Sequence, residues 1–84
     1  MTIKKGLAYR RVAGELFVVD AGKARLHELN GPAAVIWEGL AKGLGLAAIA
    51  DELTGQFEID AATALRDAEG FQAQLLAAGL LEGK

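Results

Sequence analysis

The 84-residue sequence predicts an α+β domain, a three-stranded antiparallel meander followed by three helices. Three observations carry this. Short runs rich in β-formers fill the first third of the chain, the apolar spacing changes from two to 3.6 residues after Asn30, and glycine or acidic capping signals then divide the remainder into three segments.

Residues 7–12 and 15–19 are the first two predicted strands, with Ala13 and Gly14 forming a tight hairpin between them. A second turn over Asp20, Ala21, Gly22 and Lys23, with Gly22 expected at positive φ, leads into a third strand over residues 24–29. In such a meander the second strand is central. The third is an edge, whose outward N–H and C=O groups have no partner within the sheet.

Ala33, Ile36, Trp37 and Leu40 fall at i, i+3, i+4 and i+7, the spacing of one buried helical face. Asn30 is the expected N-cap, Pro32 fits the first turn, and Gly43 and Gly45 close this helix. Trp37 reads as a core residue. Leu46, Ile49, Ala50 and Leu53 repeat the spacing in a second helix, which Gly55 is expected to end. A third helix over residues 61–78 is capped by Asp60 and stopped by Gly79, so that Leu80 and Leu81 can fold back on the core.

On a helical wheel Ala64, Ala68, Phe71 and Leu75 form the core stripe of that third helix. Leu65, Gln72 and Leu76 lie beside the stripe with Glu69 on its rim, a broader apolar arc than one packing contact requires. The surplus either packs on the sheet or second helix, or makes one wall of a groove beside the third strand. In the second case an extended peptide could add to that strand and place alternate side chains in the groove. His27 is either a half-exposed strand residue or a peptide contact.

Composition removes several function classes. The chain has no Cys and no Ser, and its single His has no second imidazole to share a metal with, so thiolate sites, disulfides, Ser or Cys nucleophiles and zinc sites are not expected. Absence of Ser also removes the attachment point of a carrier protein. No apolar run approaches the roughly 18 residues of a membrane span, and the opening MTIKKGLAYRR has no apolar segment of signal-peptide type. A cytoplasmic protein without metal or cofactor is expected.

Three helices and a small sheet also make the winged helix-turn-helix plan, for which DNA is the usual partner. The charges oppose DNA binding. Residues 42–84 hold Lys42, Arg66 and Lys84 against Asp51, Glu52, Glu58, Asp60, Asp67, Glu69 and Glu82, a net of minus four within an overall minus two. A recognition helix opening on Asp60 would repel phosphates. Arg10, Arg11, Lys23 and Arg25 are spread over the sheet, as solvated faces or contacts to an acidic peptide.

In order, LHELN, AAVIW, GLGLAAIADEL and FQAQLLAAGLL give a Leu-Asn step, an aliphatic-aromatic first helix, an Ile-Ala-x-x-Leu helix and a Leu-rich closing helix ending Gly-Leu-Leu. Together, over about residues 16–81, they resemble the PqqD-like family, the recognition elements for ribosomally made, post-translationally modified peptides. The resemblance implies a single winged-helix-like domain over residues 1–84 that catalyses nothing. Its third strand and third helix would clasp a precursor's leader peptide and present it to a modifying enzyme, such as a radical SAM protein or a leader peptidase.

Carried onto this sequence, the strand wall is Lys23, Ala24, Arg25, Leu26, His27, Glu28 and Leu29, and the helix wall is Leu65, Glu69, Gln72 and Leu76. Gly45 stands where such sequences often have Ser or Thr. ELFVVDAGK departs from the pyrroloquinoline quinone branch and looks more like the broader set serving lasso, sactipeptide and other pathways. A monomer or weak homodimer is expected, and a degenerate winged-helix regulatory or interaction domain is the alternative reading.

Overall fold

The structure is a computed structural model and describes residues 2–82. Strands β2 (Leu7–Val12), β3 (Glu15–Asp20) and β4 (Arg25–Leu29) form an antiparallel sheet in the order β2-β3-β4, with β3 in the centre. Helices α1 (Pro32–Ala41), α2 (Leu46–Gln56) and α3 (Ala61–Ala77) follow. Two short strands absent from the sequence reading, β1 (Thr2–Ile3) and β5 (Leu81–Glu82), pair antiparallel and bring the two ends of the described chain together.

Ala13 and Gly14 both take positive φ, 52° and 86°, which is the twist a two-residue hairpin needs. The second turn is built differently from expectation. Gly22 is not at positive φ; Ala24 is, at 53°, so Ala24 belongs to the turn and β4 starts at Arg25. Asp20 organises this turn, since its Oδ1 accepts from the Lys23 N–H at 3.3 Å and its carbonyl accepts the same donor at 3.2 Å. Its Oδ2 is buried without a hydrogen bond among the described residues, and the Lys4 ammonium 3.7 Å away supplies the counter-charge.

Helix boundaries move by a residue or more for identifiable reasons. Gly31, not Asn30, is the α1 N-cap, at φ 53°, because Pro32 occupies the first helical position; Asn30 contributes its carbonyl, which accepts from the Ala33 N–H at 3.2 Å. Gly55 does not end α2, which continues to Gln56 and stops where Phe57 turns extended. Asp60 caps α3 as expected, its Oδ1 accepting from the Thr63 N–H at 2.7 Å, and hydrogen bonds from the Thr63 backbone and hydroxyl hold its carboxyl below the ordinary range.

The core lies between one face of the sheet and the helices. Leu16 and Val18 of β3 are buried against Ile36, Trp37 and Leu40 of α1, Ile49 and Leu53 of α2, and Ala64, Ala68 and Leu75 of α3. Trp37 is fully buried at core spacing, with Tyr9 of β2 packed edge-on at 5.5 Å. Leu80 and Leu81 return to this core as expected. At the far edge of the sheet Arg11 donates two hydrogen bonds to Glu38 of α1, at 2.6 and 3.0 Å. That bidentate pair lowers the Glu38 pKa and raises that of Arg11.

Helices α1 and α2 approach so closely at Gly39 that an added Cβ would lie 2.6 Å from Ile49 Cγ1. Gly45, the α2 N-cap, is extended, makes no side-chain cap and has open space around it. Gly39→Ala is therefore expected to lose about 1 to 3 kcal/mol of stability through overpacking. Gly45→Ser is expected to gain up to a few tenths of a kcal/mol by supplying a cap. Urea unfolding of the two variants checks both signs.

Candidate peptide-binding edge and groove

β4 pairs with β3 on one side only, and no strand of the described chain occupies its other side. The β3–β4 register is continuous, with Leu16 opposite Leu29, Val18 opposite His27 and Asp20 opposite Arg25. Since directly opposed residues share a face, and Leu16, Val18 and Asp20 are buried, Arg25, His27 and Leu29 are on the helix side. Leu26 and Glu28 point to the outer side, where Leu26 is 65% exposed. The β3–β4 ladder is regular and fixes which side chains of β4 face the helices.

Both ends of β4 are tethered to the helical layer. Before the strand, Lys23 Nζ donates to the Ala78 carbonyl, 3.4 Å away at the C-terminal end of α3. After it, the two residues Asn30 and Gly31 lead directly into α1, whose Pro32, Ala33 and Ile36 form an open groove with Arg66, Asp67, Gly70, Phe71 and Gln74 of α3. The start of β4 is thus at the C-terminal end of α3, and its end is near the middle of α3. The helix runs antiparallel to the strand.

The flank of α3 that faces the first turn of α1 across this groove carries Arg66, Asp67, Gly70, Phe71 and Gln74. Leu65 and Leu76 are exposed, at 38% and 42%, so their side chains are surplus to the core. At 100° per residue, however, Leu65, Glu69, Gln72 and Leu76 centre about half a turn from Asp67 and Gln74, and none of them lines the groove. None of the seven strand residues and none of the four helix residues read from the sequence lines this groove.

The sequence reading missed Pro32, Ala33 and Ile36 as groove residues, and used Phe71 only as core. One signal was available: the two-residue connector after β4 forces the first turn of α1 beside the strand end. Gly70 was another, a mid-helix glycine with nothing within 4 Å of the Cβ it lacks, so tight packing does not explain its helix-propensity cost of about 1 kcal/mol. It leaves the groove open at its centre. Among the described residues no cluster of His, Cys, Asp or Glu could hold a metal ion.

Residues 15–81 match the family model for the coenzyme PQQ synthesis protein D, PqqD. The chain belongs to the PqqD family. Two solved structures share the fold of this PqqD-family chain. TbiB1 in complex with the TbiA(beta) leader peptide has a TM-score of 0.90 at 24% identity, over 100% of this chain and 98% of that one. Lasso peptide synthetase B1 complexed with the leader peptide has a TM-score of 0.85 at 22% identity, over 95% and 94%. No curated protein matches the PqqD-family sequence.

The Lys23 tether depends on Gly79 of the PqqD-family chain, which sits at φ 79° and whose missing Cβ would lie 2.8 Å from Lys23 Nζ. Gly79→Ala should cost roughly 1 to 2 kcal/mol from the left-handed conformation. Adding Lys23→Met should recover only the part due to the side-chain clash. A double-mutant cycle by urea unfolding separates the two.

Proposed function

We propose that this PqqD-family chain is a non-catalytic chaperone that captures the leader of a ribosomally made precursor peptide and presents it to a separate modifying enzyme. The observation that carries the reading is the pairing-free edge of β4, followed after two residues by α1 and the open groove that α1 makes with α3. The leader adds as a strand along residues 25–29, with alternate side chains entering the groove toward Pro32, Gly70, Phe71 and Gln74. The family membership and the leader peptides in both related structures support the same reading.

Magnitudes require both parts of the site. A five-residue edge offers about four to six backbone hydrogen bonds worth roughly 0.5 to 1.5 kcal/mol each, and ordering the peptide costs about 2 to 5 kcal/mol. Micromolar binding needs about 8 kcal/mol. Two or three apolar leader side chains in the groove, each contributing roughly 1.5 to 3 kcal/mol, make up the difference and set specificity. The domain holds the peptide, and the chemistry, whether by a radical SAM protein, a leader peptidase or another enzyme, is done in the cytoplasm by that partner. No described helix is long and apolar enough to cross a membrane.

The test is a titration with the leader peptide encoded next to this gene, monitored by amide shifts and calorimetry. Gly70→Leu projects a side chain into the groove from a Cβ that meets nothing within 4 Å, and is expected to weaken binding at least tenfold while leaving the fold intact. Leu65→Asp and Leu76→Asp, on the other flank, should change affinity less than threefold. The opposite ranking would move the site to the Leu65–Leu76 flank, and no shift along residues 23–29 would remove strand addition altogether.

A further inference from the structure

The helices cover one face of the sheet, and the other is apolar and open. Its exposed side chains include Val12, Val19 and Leu26, at 47%, 43% and 65%. A shallow depression on it is lined by Ala8, Tyr9, Arg10, Val12, Phe17 and Val19. The register arranges this face in rows across the three strands. One row reads Ala8, Val19, Leu26 from β2 to β4, and the next reads Arg10, Phe17, Glu28. The second row therefore has a cation on one edge, an aromatic ring in the centre and an anion on the other edge.

We infer that this face binds a second copy of the same chain, face to face, as a weak two-fold dimer. A two-fold axis parallel to the strands, lying between two facing sheets, places β2 of one copy over β4 of the other and keeps each row over itself. Arg10 of each copy then faces Glu28 of its partner, Ala8 faces the larger Leu26, and the two Phe17 rings and two Val19 side chains meet at the axis. Sheets packed about 10 Å apart leave the span that an Arg and a Glu side chain bridge together.

Arg10 has no ion pair within the described chain, so it is available for this contact. Glu28 sits beside Glu15, and their shared hydrogen bond and like charge push the Glu15 carboxyl up. An arriving cation relieves that crowding. The two Glu15 side chains oppose one another only at the open hairpin end, where they can turn to solvent. Both sheet edges stay free, so the dimer does not compete with strand addition and is independent of the leader-binding proposal.

The area sets the strength. Three strands about 4.8 Å apart and six residues at about 3.3 Å give roughly 300 Å² per copy. The total is about half the 1,200 Å² or so at the lower end of stable interfaces, so association falls on the order of 100 µM or weaker. Sedimentation equilibrium of the full chain from about 10 µM to 1 mM is the test. Arg10→Glu and Glu28→Arg should each raise the dissociation constant at least tenfold, and the double swap should return it to within threefold of the parent. Val19→Asp, at an exposed position, should leave only monomer with unchanged thermal unfolding. A monomer throughout this range would overturn the inference and leave the face to a different protein; a dimer indifferent to the single charge reversals would overturn it equally.

Discussion

A β-strand paired on one side and tethered at both ends to a helical layer is the constraint from which the rest of this structure follows. β4 is short, and an isolated edge of five residues would fray. Here the Asp20-centred turn and the contact of Lys23 with the end of α3 hold its start, while Gly31 and Pro32 commit the chain to α1 immediately after its end. The side chains of His27 and Leu29 are fixed toward the helices by the β3 register. Its outward backbone groups are therefore presented in a fixed line, which lowers the ordering cost that an added strand must overcome.

The same economy explains where strain and openness are placed. Gly39 is consumed by the α1–α2 crossing and Gly79 by the turn that lets Lys23 approach α3, whereas Gly70 has no packing role and keeps the groove floor low. Ala13 and Ala24 hold left-handed conformations that glycine would adopt more easily, one at each turn of the meander. Both turns fix the register that decides which side chains of β4 face the helices and which face the open side of the sheet. A one-residue slip would turn Leu26 and Glu28 toward the helices and His27 outward.

Much of this was legible in the sequence, for reasons that can be traced to particular residues. The β-rich runs around Ala13–Gly14, the Ala33/Ile36/Trp37/Leu40 stripe and the Asp60 cap are local signals, and they produced the right elements in the right order. The LHELN to GLL landmarks pointed to the family that residues 15–81 match. What the sequence left out was non-local. A helical wheel shows that Leu65 and Leu76 are surplus to the core, but not that the first turn of α1 forms an open groove with the other flank of α3. β1 and β5 were equally invisible, because two residues at each end carry no periodicity and become strands only by meeting.

Hydrogen–deuterium exchange along β4, resolved by residue in the free chain and with a saturating leader peptide, tests this account at its centre. In the free chain the amides of residues 25–29 directed at β3 should be protected, the alternate amides should exchange at near-coil rates, and the leader should protect that second set by at least tenfold. Uniform protection of all β4 amides before any peptide is added would show the edge already satisfied, and the account would be wrong.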